Sequence, residues 1–224
     1  MKHNKRRDRS QRLCCVCCIV ALAFTAGCLA TRDIERTRLY ALHPEIHVTA
    51  VEAVDVTLGV RPLFAARPYA LPMTFLNGER QLGHRVRDEW AEPPANTVTR
   101  ALTDALVAAN RFKDVGNAAD MARPDLLLTG ELRMFHENRA QTPATAELEV
   151  RIELRPSRDP GGLWAETLYE TEPIQGDDAA AFAAAMNKAL ARLVQQAAEA
   201  IAAVELPELD AAITSEDRGA RRRL

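Results

Sequence analysis

Residues 145–155 carry the strictest pattern of the chain, an alternation of apolar and charged side chains. The apolar set consists of Ala146, Leu148, Val150, Ile152 and Leu154. The charged set between them consists of Glu147, Glu149, Arg151, Glu153 and Arg155. Successive side chains of a strand point to opposite faces, so this segment predicts a strand with one buried and one hydrated face. Charges of both signs on the hydrated face can pair with neighbouring strands.

Other segments predict further strands. Residues 46–58 alternate with one buried side that is broken only by Glu52. Residues 125–135 are apolar on both faces around Leu126-Leu127-Leu128, which indicates a central strand that is covered on both sides. Residues 59–72 hold three prolines and predict an irregular crossing. Shorter strands are predicted at residues 71–75, 81–87 and 163–172.

Two segments predict long helices. Pro93-Pro94 opens the first, because proline fits a first helical turn, and its apolar stripe continues to about Asn110. Residues 112–115 then form a link to the next strand. Asp177-Asp178 can cap the second helix, at residues 178–204, which is rich in alanine. These patterns predict an α/β fold with a mixed, largely antiparallel sheet of five or six strands and one long helix on each face, in three layers.

The N-terminal segment is typical of a secretory signal. Residues 1–12 hold six basic residues and one acid, and the following 18 residues are uncharged. Small residues then precede Cys28, as in a bacterial lipoprotein signal, with Thr25 where leucine is usual. Cleavage would leave the Cys28 thiol to take a diacylglycerol. The alternative is an uncleaved anchor helix, for which 18 residues are a short span.

The cysteines all lie within this N-terminal segment. Four of them are clustered near the start of its uncharged run, in Cys14-Cys15-Val16-Cys17-Cys18. A metal cluster is the alternative interpretation, but the run has no second ligand pair at the usual spacing. Cysteine in an apolar run behaves as a small hydrophobic residue. We therefore predict that the mature chain has no disulfide and no free thiol nucleophile.

We predict four parts of the chain: a signal peptide at residues 1–27, a lipidated tether at 28–38, a single domain at 39–206 and a flexible tail at 207–224. Without residues 1–27 the net charge moves from −2 to about −7. This charge argues against nucleic acid as a partner, because such proteins carry a basic patch. The terminal Arg221-Arg222-Arg223 indicates a solvated end or, alternatively, a contact with anionic lipid head groups.

The chain after Cys28 lacks the residue patterns of a catalytic site. Ser157 and Ser215 lie outside any Gly-x-Ser-x-Gly elbow, and no glycine-rich phosphate loop occurs. The histidines offer no metal pair, since Pro44 interrupts the first two and the others have no partner at ligand spacing. These histidines are His43, His47, His84 and His136. We predict no enzyme, no metal site and no cofactor besides the lipid on Cys28.

Several segments occur in an order that is known from one family. After Cys28 these segments are Arg38-Leu39-Tyr40-Ala41-Leu42, Leu58-Gly59-Val60, Trp90-Ala91-Glu92-Pro93-Pro94, and Pro124-Asp125-Leu126-Leu127-Leu128-Thr129-Gly130-Glu131-Leu132 with Phe135. The alternating strand and the alanine-rich helix complete the order. Over nearly all of residues 28–204 the chain resembles the ABC-type transport auxiliary lipoprotein family, the PqiC-like proteins.

The resemblance implies a layered α/β sheet and a non-catalytic role. Members are implied to be periplasmic accessories, anchored in the outer membrane, of MCE-domain transporters that move lipids between membranes. The implied partners are an MCE-domain protein and its ABC permease and ATPase, and a homo-oligomer is compatible with this role. Leu29 is not aspartate, which favours the outer over the inner membrane. Residues 61–76 depart from the family pattern, so no partner contact is carried over to them.

A docking role requires a surface for the partner, offered by a sheet edge or a helix face. Trp90 and Trp164 are candidate interface anchors, with burial in the core as the alternative for each. The alternative to a transporter subunit is a stand-alone assembly or structural lipoprotein of the outer membrane. An extracytoplasmic hydrolase would need a catalytic cluster, for which the sequence offers no good candidate.

Overall fold

The computed structural model describes residues 36–159 and 161–206, which form nine strands and two helices. The strands are β1 (Arg38–Tyr40), β2 (Val54–Val60), β3 (Phe64–Ala65), β4 (Pro72–Leu76), β5 (Leu82–Trp90), β6 (Phe112–Asn117), β7 (Leu126–Asn138), β8 (Thr145–Pro156) and β9 (Trp164–Pro173). The helices are α1 (Pro94–Ala109) and α2 (Ala179–Ala202). The predicted signal peptide, Cys28, most of the tether and the predicted tail lie outside the described residues.

The sheet is assembled on β7. Along one edge β7 pairs antiparallel with β8 over nearly its whole length. Along the other edge it pairs in parallel with β2, β3 and β4 in turn, through residues 126–128, 131–132 and 137–138. β9 lies beyond β8, β6 beyond β2, and β5 and β1 beyond β4. The long ladders are antiparallel, so the prediction of a mixed, largely antiparallel α/β sheet is confirmed.

The alternation of β8 places one face of the sheet on the core. All five of its apolar residues are fully buried, and α2 packs against β8 and β9 on that side. The approach of β8 to β7 leaves no room for a side chain at Gly130, where a Cβ would lie 2.5 Å from the carbonyl oxygen of Arg151. Gly130 therefore permits the tight pairing in the middle of the longest ladder.

The two helices lie on the same face of the sheet and contact each other, so the prediction of one helix on each face is wrong. Both sides of β7 are apolar because the loop between β6 and β7, which contains Pro124, covers part of its second face. Leu127 pairs with Gly59 of β2, and a Cβ on that glycine would lie 2.8 Å from Pro124. This loop replaces the predicted third layer, and the fold has two layers.

Both helices begin close to the predicted positions. Pro93 precedes the first turn of α1, and Asn110 ends the helix with a left-handed backbone (φ 52°). Asp178 caps α2, because its carboxylate accepts a hydrogen bond from the Ala181 N–H at 2.7 Å. These residues mark where each helix begins and where α1 ends.

The nine strands of the described residues exceed the predicted five or six because three short strands lack an alternation of their own. β1 begins at Arg38, the last residue assigned to the tether, and Arg38 Nε donates to Asp88 Oδ1 at 2.7 Å. β3 lies within the proline-rich crossing, and β6 lies in the predicted link after α1. Each is positioned by pairing with a longer strand, which the local sequence does not reveal.

Residues 41–53 form an extended segment without regular pairing, which we call the strap. Strand β2 starts only at Val54, so the prediction of a strand from residue 46 is wrong in its first half. Ile46 and Val48 pack against the core from the strap and account for the alternation. Asn187 of α2 fastens the strap, since its amide accepts from the His43 N–H at 2.8 Å and donates to the His43 carbonyl at 3.2 Å.

A buried ion cluster joins β5, β7 and the start of α2. Glu137 of β7 is nearly inaccessible and lies 2.8 Å from Arg85 Nη2 and 2.9 Å from Arg139 Nη2. Arg85 also donates to the carbonyl of Asp177 at 3.3 Å, just before the cap of α2. The Arg139 guanidinium lies 3.9 Å from the centre of the Phe75 ring. A buried carboxylate of this kind requires its cations, because an unpaired buried charge is strongly destabilising.

We predict that Asp178→Ala lowers the free energy of unfolding by about 1 kcal/mol, because it leaves an N–H of the first α2 turn without its acceptor. The measurement is urea denaturation followed by circular dichroism. Asp177→Ala is the matched control: it removes the neighbouring carboxylate, which does not cap, and is expected to change stability by less than about 0.5 kcal/mol. Equal losses in both variants would contradict the capping role.

Candidate functional site

A set of charged and aromatic side chains lies on the face of the sheet turned away from both helices, which we call the open face. It comprises Phe64, Glu131, Arg133, His136, Glu147, Glu149, Arg151 and Tyr169. The ladders set Glu131 beside Arg151 and Glu149 beside Tyr169. Directly opposed side chains on one face are in reach of one another, so the open face is a continuous surface over four strands.

A charge network crosses the middle of the open face. Arg133, at the β-bulge of β7, has its Nε 3.1 Å from Glu131 Oε2 and its Nη1 3.8 Å from Glu149 Oε1. The Arg133 side chain is partly exposed, and ion pairs of that kind contribute only about 0–1 kcal/mol to stability. The network therefore matters more for what this face can bind than for folding.

Two aromatic side chains stand beside these charges in contact with solvent. Phe64 of β3 is 68% exposed and Tyr169 of β9 is 48% exposed. Aromatic residues are enriched in protein–protein interfaces, where burial of their large apolar area contributes much of the affinity. Phe64 and Tyr169 are thus well placed among the described residues to anchor a protein partner.

A buried polar cluster lies within the open face. The ring of Tyr69 stacks on that of His136, and its hydroxyl lies 3.0 Å from His136 Nδ1. His136 Nε2 lies 3.3 Å from Glu147 Oε2, and Asn138 donates to Glu147 Oε1 at 2.8 Å. Glu147 is only 8% exposed, so the prediction that all the glutamates of this strand are solvated is wrong for this residue.

Burial determines the protonation of this cluster. Removal from water lowers the pKa of His136, and the charge of Glu147 offsets only part of that shift. Burial also raises the pKa of the Tyr69 hydroxyl and, together with the charge of Glu147, that of Tyr169. Nε2 of His136 does not reach hydrogen-bond geometry toward Glu147. These observations favour a neutral imidazole whose Nδ1 accepts a hydrogen bond from Tyr69.

Sequence reasoning missed the meeting of His136 and Glu147. The two residues are eleven positions apart in the chain and become neighbours only through the register of the β7–β8 ladder. The alternation of residues 145–155 showed the strand but not which residue of β7 each glutamate would face. The exposed Phe64 was equally hidden, because it lies in the proline-rich crossing.

The candidate anchors suggested by the sequence lie in different environments. Trp90 is 3% exposed and packs against Phe135 and Phe182, with ring centroids 5.2 and 5.4 Å away, so it belongs to the core and not to a surface. Trp164 opens β9 opposite Leu154 and is partly buried against the core. Its role as an anchor stays a prediction, and Cys28 lies outside the described residues.

Three further features of the described residues bear on catalysis and binding. Ser157, the one serine within residues 36–159 and 161–206, donates its hydroxyl to the carbonyl of Pro124. Across the same residues no group of three or more His, Cys, Asp or Glu side chains is arranged to hold a metal ion. A groove of about 280 Å³ between the strap and α1 is lined by Leu42, Ile46 and Arg100 among others. Compared with this groove, the open face carries more charged side chains and also the exposed rings of Phe64 and Tyr169.

A family model for the ABC-type transport auxiliary lipoprotein component matches residues 74–198. The chain belongs to this family. The match covers more than half of the chain and includes β7, β8 and β9 with most of the open face. The family is that of a lipoprotein component, non-catalytic in kind, and the family resemblance of the sequence is confirmed. A comparison with curated proteins found no match.

Solved structures share the fold. Protein XCC0632 from Xanthomonas campestris is 24% identical with a TM-score of 0.62, over 71% of this chain and 92% of that one. An uncharacterised protein is 14% identical with a TM-score of 0.57, over 75% and 99%. Protein CT253 from Chlamydia trachomatis is 9% identical with a TM-score of 0.51, over 67% and 98%. At these identities the likeness concerns the fold alone.

Neither α1 nor α2, the helices of residues 36–159 and 161–206, is long and apolar enough to cross a membrane.

We predict that the free energy of unfolding falls as the pH drops below about 6.5, because the unfolded chain protonates His136 before the folded protein does. Each unit by which folding lowers this pKa corresponds to about 1.4 kcal/mol. His136→Gln should reduce the difference in stability between neutral and mildly acidic solution. Chemical denaturation at a series of pH values measures it.

The control for this prediction is His84→Gln, which removes an exposed histidine from strand β5. This variant shows how much of the change in pH dependence comes from removing any histidine. If both variants changed the pH dependence equally, burial of His136 would not be its cause.

Proposed function

We propose that this auxiliary lipoprotein is a non-catalytic docking subunit of an ABC transport system of the MCE type, which moves lipids between the inner and outer membranes. Membership of the family supports the auxiliary role in ABC-type transport. The docking role is inferred from the open face. The partners in this proposal are an MCE-domain protein and the ABC permease and ATPase that act with it.

The observation that carries the docking role is the pairing of exposed aromatic rings with a charge network on a rigid sheet. Phe64 and Tyr169 supply apolar area that a partner can bury, and Arg133 with its two glutamates supplies charges that select the orientation of that partner. The strands below are held by the β7–β8 and β8–β9 ladders. A surface that is already ordered loses little conformational entropy on binding.

In this proposal Cys28 carries the lipid that holds the domain on the periplasmic side of the outer membrane. A single acyl chain binds a bilayer only marginally, so a stable anchor takes more than one chain. The anchor concentrates the domain on one membrane, and the open face then recruits the transporter. The function needs no bond-making step by the described residues.

We predict that affinity capture from detergent-solubilised envelope recovers an MCE-domain protein or an ABC subunit with the wild-type lipoprotein. Replacing both exposed aromatics, as Phe64→Ser with Tyr169→Ser, should reduce this recovery strongly, because the partner loses its apolar anchors. Mass spectrometry of the captured material measures the yield. Both positions are exposed, so folding is expected to be little affected.

The matched control is Val107→Ser, which removes an exposed apolar residue (54% exposed) from α1. It should leave the recovery unchanged. Failure of the wild-type protein to recover any transporter subunit would contradict the docking role. Equal recovery by the control and by the aromatic variant would assign docking to another surface.

We predict that Cys28→Ala abolishes incorporation of labelled fatty acid and leaves the precursor uncleaved, because the thiol is the site of lipid attachment. Metabolic labelling followed by gel electrophoresis checks both effects. Labelling that persisted in this variant would point to a different attachment site.

A further inference from the structure

Exposed apolar side chains concentrate on one edge of the sheet. Strands β1 and β5 hold three of the eight large apolar residues that are exposed within the described residues: Leu39, Leu82 and Val86. Val86 is 93% exposed, more than any other of these residues. Leu82 and Val86 lie four positions apart on β5. We call these three residues the edge patch.

The backbone at this edge is also only partly covered by strands of the described residues. β1 pairs with β5 at Asp88, Glu89 and Trp90 alone, while β4 occupies the other side of β5. An edge strand with unpaired backbone groups and exposed apolar side chains tends to associate with another molecule or surface. The hairpin before β5 is well ordered, because Asn77 accepts hydrogen bonds from the backbone of Glu79 and Gln81.

The predicted tether leads to this edge. Arg38, the first residue of β1, lies ten positions after Cys28, and the chain between them can span at most about 36 Å. The opposite edge, β9, lies five strand spacings away, or about 24 Å. If β9 contacted the bilayer instead, β1 would lie about 24 Å away from it. Spanning that distance would take about two thirds of the length of the extended tether.

The charges around the edge patch nearly cancel. Glu79 and Glu89 carry negative charge, Arg36, Arg80 and Arg87 carry positive charge, and Arg38 pairs with Asp88. The net charge around the edge patch is therefore small, so electrostatic attraction to anionic lipids is weak and the contact with the bilayer is mainly apolar. A surface that is tethered to a bilayer meets it at a high effective concentration, so even a weak apolar contact is populated.

We propose that the edge patch rests on the bilayer that holds the lipid of Cys28, with Leu39, Leu82 and Val86 inserted at the level of the head groups. This inference rests on the proposed lipidation of Cys28. The contact orients the domain: β1 and β5 lie on the membrane, while α1 and the open face, including Phe64 and Tyr169, stay accessible to a protein partner. The occupant of the edge patch is thus a lipid surface and not another protein.

The test uses the full mature lipoprotein in vesicles of phosphatidylethanolamine and phosphatidylglycerol. Its cysteines other than Cys28 lie in the signal segment, and the lipid occupies the Cys28 thiol, so a single introduced cysteine takes an environment-sensitive fluorophore. Val86→Cys and Leu82→Cys should show emission at shorter wavelength and quenching by spin-labelled lipid. Val107→Cys on α1 is the exposed control and should show neither effect.

A second variant tests the patch as a unit. Adding Leu82→Asp to labelled Val86→Cys should reduce the quenching, because a charge opposes insertion, whereas adding Thr103→Asp on α1 should not. Vesicles of phosphatidylethanolamine and phosphatidylcholine, without anionic lipid, should give the same quenching as the first mixture. Leu82 and Val86 are exposed and Thr103 is half-buried, so circular dichroism is used to confirm that the variants are folded.

The outcomes separate this inference from the function on which it rests. Protein that fails to float with the vesicles overturns the lipid anchor and with it the inference. Protein that floats but shows equal, water-like emission at residues 86 and 107 overturns the edge contact and leaves the anchor intact. Protection of residue 86 that requires a high protein density, without quenching by lipid, would assign the edge to a second copy of the chain and overturn the proposal.

Discussion

The pairing of β7 with four other strands is the constraint on which the structure depends. One edge of β7 is occupied by β8, and the other is shared by β2, β3 and β4 along its length. Such sharing is possible because the segments between these three strands are irregular and let each strand end where the next begins. The proline-rich crossing is therefore part of the sheet, and it places Phe64 and Tyr69 over β7.

The sequence predicted the long elements well and the short ones poorly. α1, α2, β7, β8 and β9 have periodic patterns or capping residues, such as Pro93 and Asp178, that act within their own segments. β1, β3 and β6 have no such pattern, and their existence depends on a partner strand far away in the chain. The placement of both helices on one face depends on contacts between the helices and on the loop at Pro124, which no local periodicity encodes.

The candidate site also has a part that the sequence predicted and a part that it did not. Charges on the open face follow from the alternation of β8, which the sequence shows. The cluster of Tyr69, His136 and Glu147 depends on the register between two strands and on the crossing that delivers Tyr69. The core role of Trp90 was one of two readings that hydrophobicity alone could not separate; its ring lies between β7 and α2, and that position is defined only by the assembled fold. Function beyond the family therefore depends on the surface that the assembled sheet presents.

The fastening of the strap has a mechanical consequence. A pull on the chain ahead of β1, directed along the strand, loads its three residue pairs and the Arg38–Asp88 ion pair together, in shear. If that attachment gives way, the load passes to the two hydrogen bonds between His43 and Asn187, which tie the strap to the long helix α2. The N-terminal end of the domain is thus held at two successive points, with the buried side chain of Leu42 between them.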